Sequence, residues 1–277
     1  MTNYLLDIGI RAARGANRLR KSRTPTIDPG YVSNLLKDAG ANATYVSIDP
    51  VVDLAAGYKN FYYAITATTN AGTVRYFGSM PDKLFEPVGR LVTTIAGFEY
   101  KGPIERKRKD FEDLSLLNKH GIPAARPVAF DPKTGLVIEH YENGTNLGSF
   151  LDSRDYHEST KLEKFGQGLI VLKQTQDLGM HCGEAFTENF FVRDDNHVII
   201  TDMEGKSRLE NPRAHELAIF LYSGARSMRP QPLVRLAREL YGPEMLIEVP
   251  RYKMRLFWAI DPITLHKTNE AIKEVLK

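Results

Sequence analysis

Glu184, Asn189 and Asp202 stand in one short block of the chain. In it, CGEAFTENFFV leads through a polar turn at Arg193-Asp194-Asp195-Asn196 into the apolar run His197 to Thr201, and then into Asp202-Met203-Glu204. Phosphoryl transfer needs this inventory in this order. One carboxylate orients an attacking hydroxyl, while an amide and a second carboxylate hold the metal that bridges nucleotide phosphates. Magnesium takes oxygen ligands and keeps several waters, so Asp202, the amide oxygen of Asn189 and phosphate oxygens suffice, with Glu204 as an added contact. The same residues also serve as plain turn caps, Asp202 at a strand end and Asn189 bonding its own loop. Cys182 beside His181 raises a different chemistry, a thiolate nucleophile. Adjacent residues of an extended segment point to opposite sides, however, which favours a small buried cysteine.

These residues must be carried by neighbouring elements, and the pattern predicts them. Residues 45–48, 61–67 and 73–77 are rich in aromatic and β-branched types separated by Gly and Asn turns, which predicts an antiparallel meander. Residues 104–120 read as a helix with Phe111, Leu114 and Leu117 on one face and the basic run Arg106-Lys107-Arg108-Lys109 at its start. Gly121-Ile122-Pro123 ends it. Strands follow at 125–130 and 136–139 around the turn Asp131 to Gly135, then a hinge at Asn143 to Asn146. Helices are predicted at 161–178, 214–223 and 233–241. Residues 78–102, with Pro81 and Pro87, have no clear period and read as an insertion with some helix. Near the start, residues 3–21 form an amphipathic basic pattern that Asp28-Pro29-Gly30 is expected to break.

Composition excludes several classes. The single cysteine, Cys182, permits no intrachain disulfide and no Cys-rich zinc cluster. No apolar run approaches the roughly 18 residues of a spanning helix, and the basic N-terminus does not fit a secretory signal. A cytoplasmic protein is expected, with a peripheral membrane position left open. A net charge of +3 is too small to require a nucleic-acid partner.

The order of helix, Gly121-Ile122-Pro123, strand, turn, strand ending in Glu139, hinge, helix, Leu178-Gly179, the Glu184 loop, strand, Asp202-x-Glu204 and later Glu216-Leu217-Ala218 resembles the kinase-like phosphotransferases. The branch in question contains aminoglycoside phosphotransferases, RIO-type kinases, lipopolysaccharide-core kinases and the kinase of the tRNA threonylcarbamoylation complex. The resemblance covers roughly residues 44–241 and is strongest from Gly121 onward. It implies an α+β, two-lobed protein-kinase-like fold with a β-rich N-lobe and a mainly α C-lobe. On that plan residues 1–40 are a basic helical extension, 41–142 the nucleotide-side lobe and 143–277 the lobe with the catalytic and metal loops.

The resemblance also assigns roles. Glu184 stands where the family has Asp, Cys182 where it has His, and Met203 where it has Phe. Asp110 takes the place of a helical Glu, and Arg75 that of a phosphate-binding Lys; together they are expected to pair and position phosphates. Gly57 and Lys59 fall in the phosphate-covering segment, and Glu139 precedes the hinge on the nucleotide side. Glu216 matches an Asp that supports the catalytic loop. The implied activity is ATP- and magnesium-dependent transfer to a hydroxyl acceptor. Two alternatives stay open: a pseudokinase that binds nucleotide or acts as a scaffold, and a module binding RNA or anionic lipid head groups. The module would use the N-terminal basic helix and the Arg106 to Lys109 run. A packed or solvated face explains the basic helix more simply.

Overall fold

Asp28-Pro29-Gly30 starts a helix rather than only ending one. The Asp28 carboxylate accepts from the Gly30 N–H at 3.0 Å, and Pro29 sits at the first helical position, where its missing N–H costs nothing. This helix, α1 (Pro29–Asp38), buries Val32 and Leu36 against the strands that follow. Residues 29–38 therefore belong to the core of the sheet and not to a separate extension. The protein is described by a computed structural model over residues 24–51, 60–82, 102–203, 209–256 and 259–277. The basic pattern at 3–21, most of the predicted insertion, Gly57, Lys59 and Glu204 lie outside the described residues.

The predicted meander forms as β1 (Ala43–Pro50), β2 (Asn60–Thr69) and β3 (Gly72–Pro81), all antiparallel. In β2 the residues Phe61, Tyr63, Ile65 and Ala67 are buried in strict alternation, as a sheet with one covered face requires. β3 runs four residues past its expected end. Gly78, expected to begin the insertion, lies within the strand opposite Tyr63, and a Cβ there would press on Ile65 Cδ1 at 2.9 Å. Helix α2 (Pro103–Lys119) then precedes β4 (Pro127–Phe130) and β5 (Val137–His140). β5 inserts between β3 and β4, giving a five-stranded antiparallel sheet in the order β1-β2-β3-β5-β4.

The expected hinge at Gly144 is a short strand. β6 (Gly144–Asn146) pairs with β7 (Phe190–Arg193), which pairs with β8 (Val198–Ile200) in a second antiparallel sheet. Gly144 has φ 139°, and a Cβ there would lie 2.0 Å from the Val192 carbonyl oxygen, so only glycine admits this pairing. The remaining elements are helical: α3 (Leu147–Asp152), α4 (Glu158–Asp177), α5 (Pro212–Gly224), α6 (Pro230–Tyr241), short turns of helix through Leu256, and α7 (Pro262–Leu276).

The apolar side chains form two clusters. One lies between α1 and the five-stranded sheet; the other unites α3 to α7 with the small sheet. α2 serves both regions, stacking Phe111 near Phe130 of β4 (ring centroids 6.0 Å apart) while Leu114 and Leu117 enter the helical cluster. The chain is thus mixed α/β, strand-rich before residue 143 and largely helical after it. Among the described residues no helix is long and apolar enough to cross a membrane.

Candidate functional site

α5 is buried along its whole length from Ala214 to Gly224, and one of its residues is the carboxylate Glu216 at 0% exposure. A buried charge survives only with several donors. Glu216 accepts from the Gly183 N–H at 2.7 Å and from the Gln176 amide of α4 at 2.8 Å, and it lies 3.3 Å from His181 Nδ1. It thereby pins the start of the Gly183 to Asn189 loop, where Gly183 takes φ 72°. α5 holds the same loop a second time, through Ser223 Oγ, which accepts from the Thr187 N–H at 3.1 Å.

Within that loop, Asn189 Nδ2 donates to the Glu184 carbonyl at 2.7 Å. Because the acceptor is a carbonyl, the nitrogen must face it, which turns the amide oxygen Oδ1 the other way. The Asn189 carbonyl accepts from both the Thr201 N–H (2.9 Å) and the Thr201 hydroxyl (3.0 Å). Two covalently successive residues, Thr201 and Asp202, are thus fastened beside Asn189. The spacing of Glu184, Asn189 and Asp202 in the sequence is therefore matched by direct bonding between their loops. All three are half-buried.

The third wall is α2. Asp110 is 2% exposed and accepts from the Met203 N–H at 2.7 Å, which fixes the backbone one residue beyond Asp202. Its cationic neighbour is Lys107, a turn earlier on the same helix, with Nζ 3.6 Å from the carboxylate and likewise buried. The expected Asp110 to Arg75 pair does not form. Arg75 is exposed on β3 and stacks its guanidinium over Tyr141, 4.0 Å from the ring centroid. The reason is positional: neighbouring residues of a strand point to opposite sides, and the buried members of β3 are Tyr76, Gly78, Ser79 and Pro81, with Arg75 beside Tyr76 on the exposed side.

Lys107 is the residue that sequence reasoning missed. It sits in a run of four cations that reads as a solvated face, yet it stands three residues before Asp110, the spacing that brings helical side chains together. The other cations of the run are largely paired on their own helix: Arg108 with Glu105 and Glu112, Lys109 with Asp113.

Glu139 is buried on β5, opposite Phe77 of β3 and Pro127 of β4. Cys182 is also buried; burial first, and then the charges of Glu216 and Asp202, raise its thiol well above the usual range. An inert thiol, not a nucleophile, follows. Among the described residues no group of three or more His, Cys, Asp or Glu is arranged to hold a metal ion. Comparison with protein-family models and with curated proteins finds no match to this chain.

Proposed function

We propose that the chain is a kinase-like phosphotransferase that uses ATP and magnesium to phosphorylate a hydroxyl acceptor, with a two-lobed arrangement in which the five-stranded sheet and α2 form the nucleotide side. The carrying observation is the continuous set of bonds from Glu216 through Gly183, Glu184, Asn189 and Thr201 to Met203 and Asp110. It fixes the backbone that carries two carboxylates, Glu184 and Asp202, and the amide of Asn189 at the meeting of two loops. Catalysis of phosphoryl transfer is positioning and electrostatics, so rigid support of these groups is what the chemistry needs.

In this reading Glu184 orients the acceptor hydroxyl, and Asn189 and Asp202 offer the oxygens for magnesium. The donor set fits: Asn189 Oδ1 is turned away from its own loop carbonyl, and magnesium needs only one or two protein oxygens beside water and phosphate. Magnesium held there would supply positive charge to offset that of the phosphate oxygens. Glu204 adds a further carboxylate in the sequence just beyond. Lys107 acts through Asp110 as a positioning residue, because the pair holds Met203 and so the direction of Asp202.

One observation favours a second reading, a pseudokinase that binds nucleotide without transfer. Arg75 is engaged with Tyr141, which takes away an expected phosphate contact, and Glu184 is one methylene longer than the aspartate of the family pattern; both departures weaken transfer. The first test serves both readings. ATP with magnesium raises the melting temperature of the protein, since a ligand that binds the folded state alone stabilises it. Asp202→Ala removes the magnesium-dependent part of that rise and leaves the unliganded melting temperature nearly unchanged. A magnesium-dependent shift of full size in Asp202→Ala would defeat the metal assignment.

A further inference from the structure

A cavity of about 950 Å³ opens where the α3–α4 connection, the start of α4, the α5–α6 connection and α7 meet. Its volume is at the upper end of small-molecule sites, which run roughly 300 to 1,000 Å³. Five cations line it: Arg154, Lys161, Arg226, Arg229 and Lys267. Against them stand two carboxylates, Glu158 and Glu270. The lining thus carries an excess of three positive charges.

The pairing pattern sharpens the imbalance. Glu158 is taken by a two-pronged bond from Arg229 at 2.9 and 2.7 Å, and Glu270 is taken by Lys273 at 2.8 Å. Arg226 is held from outside the cavity by Glu188 at 2.8 Å. Arg154, Lys161 and Lys267 have no carboxylate within ion-pair distance among the described residues. Three cations left facing one concave, partly apolar wall raise the local concentration of anions. α4 also begins on this wall, and His157 at its N-cap makes no side-chain capping bond. Tyr156, stacked on Phe150 with ring centroids 4.0 Å apart, and the buried Met228 give the cavity a flat apolar side.

We infer that this cavity binds a phosphorylated small molecule, with Arg154, Lys161 and Lys267 on its phosphate oxygens and its body against Tyr156 and Met228. An Arg fork and two Lys point charges form the set that recognises a phosphate or pyrophosphate group. The inference is independent of phosphoryl transfer at Asp202. The two regions do touch, since Glu188, the partner of Arg226, immediately precedes Asn189.

Calorimetric titration of the full chain with inorganic pyrophosphate, without magnesium, tests it. Saturable one-to-one binding is expected, weakening steeply as salt rises. The exposed double variant Arg154→Ala/Lys267→Ala lowers affinity by about tenfold or more, the scale of losing charge-assisted contacts. Asp202→Ala binds as the parent does. Unaltered melting temperatures show that both variants remain folded. Absence of saturable binding overturns the inference; so does equal affinity in the double variant, or loss of binding in Asp202→Ala. Flotation with phosphatidic-acid vesicles separates the sources of the phosphate. Flotation that pyrophosphate displaces and the double variant lacks places a lipid head group in the cavity, and no flotation beside pyrophosphate binding leaves a free phosphorylated compound.

Discussion

Two buried carboxylates brace the candidate site from opposite walls, and they are satisfied in different ways. Glu216 on α5 meets the Gly183 N–H and the Gln176 amide, both neutral donors, with His181 at its edge. Asp110 on α2 accepts from the Met203 N–H and has a buried ammonium, Lys107, beside it. The α5 wall is a hydrogen-bond cage in which no second charge has to be desolvated. The α2 wall is an ion pair, in which each member depends on the other to offset its own loss of hydration. The first tolerates a neutral side chain of similar shape; the second does not tolerate removal of one partner.

The largest effect is therefore expected on the α2 wall. Asp110→Ala takes from buried Lys107 the carboxylate 3.6 Å away and costs about 3 to 5 kcal/mol in urea unfolding, the usual scale for a broken buried pair. Replacing both partners, Asp110→Leu with Lys107→Met, recovers only part of that loss, because no charge is then left buried but the Met203 N–H loses its acceptor. Glu216→Gln keeps one acceptor oxygen for the loop and costs about 1 to 2 kcal/mol. Equal costs at the two sites, or a double variant no better than Asp110→Ala, would erase the distinction between cage and ion pair.

The contrast also explains what was legible beforehand. The order and spacing of Glu184, Asn189 and Asp202 are local, set by one loop and two short strands, and the bonds through Asn189 and Thr201 follow that order. Glu216 was expected to support the loop, and it bonds to the Gly183 N–H. Lys107 was hidden because four successive cations carry no sign of which one points inward; the packing of α2 decides that. α1 was missed because Pro29 and Gly30 were weighed as breakers, although Asp before Pro is also how a helix begins. β6 was missed because Gly144-Thr145-Asn146 has turn composition, and its pairing is dictated by β7, some fifty residues later in the chain. The cavity cations are spread over three distant segments, so no window of sequence contains them together.

A smaller, pH-dependent effect distinguishes the two walls again. His215, next to Glu216, is buried with its ring 5.2 Å from that of Tyr252. Burial first, and the charge of Arg255 second, bring its imidazole down to about 4. In the unfolded chain it titrates near 6.5. Above pH 6.5 the group is neutral in both states and contributes no pH dependence. As pH falls from about 6.5 to about 4 the unfolded chain takes up a proton that the folded chain refuses, so stability drops, by roughly 3 kcal/mol when complete. Urea midpoints measured at pH 7, 6 and 5 should fall more steeply in the parent than in His215→Phe. Parallel slopes would mean that the α5 wall accepts a proton at little cost.

The smallest effect on stability, and the most informative for function, is expected between the walls at Glu184. This side chain is half-buried, and the Glu184 carbonyl accepts from Asn189 Nδ2 and from the Phe186 N–H. Glu184→Gln preserves those bonds and the shape of the side chain, so unfolding free energy should change by no more than about 0.5 kcal/mol. If the carboxylate orients and deprotonates an acceptor hydroxyl, the same variant binds ATP and magnesium as the parent does yet transfers phosphate about 100-fold more slowly or worse. Full turnover in Glu184→Gln would remove this residue from the chemistry. A parent that binds nucleotide, transfers to no sugar, lipid or protein acceptor, and is unaffected in every property by Glu184→Gln would establish the pseudokinase reading, with the braced loops serving to hold nucleotide rather than to spend it.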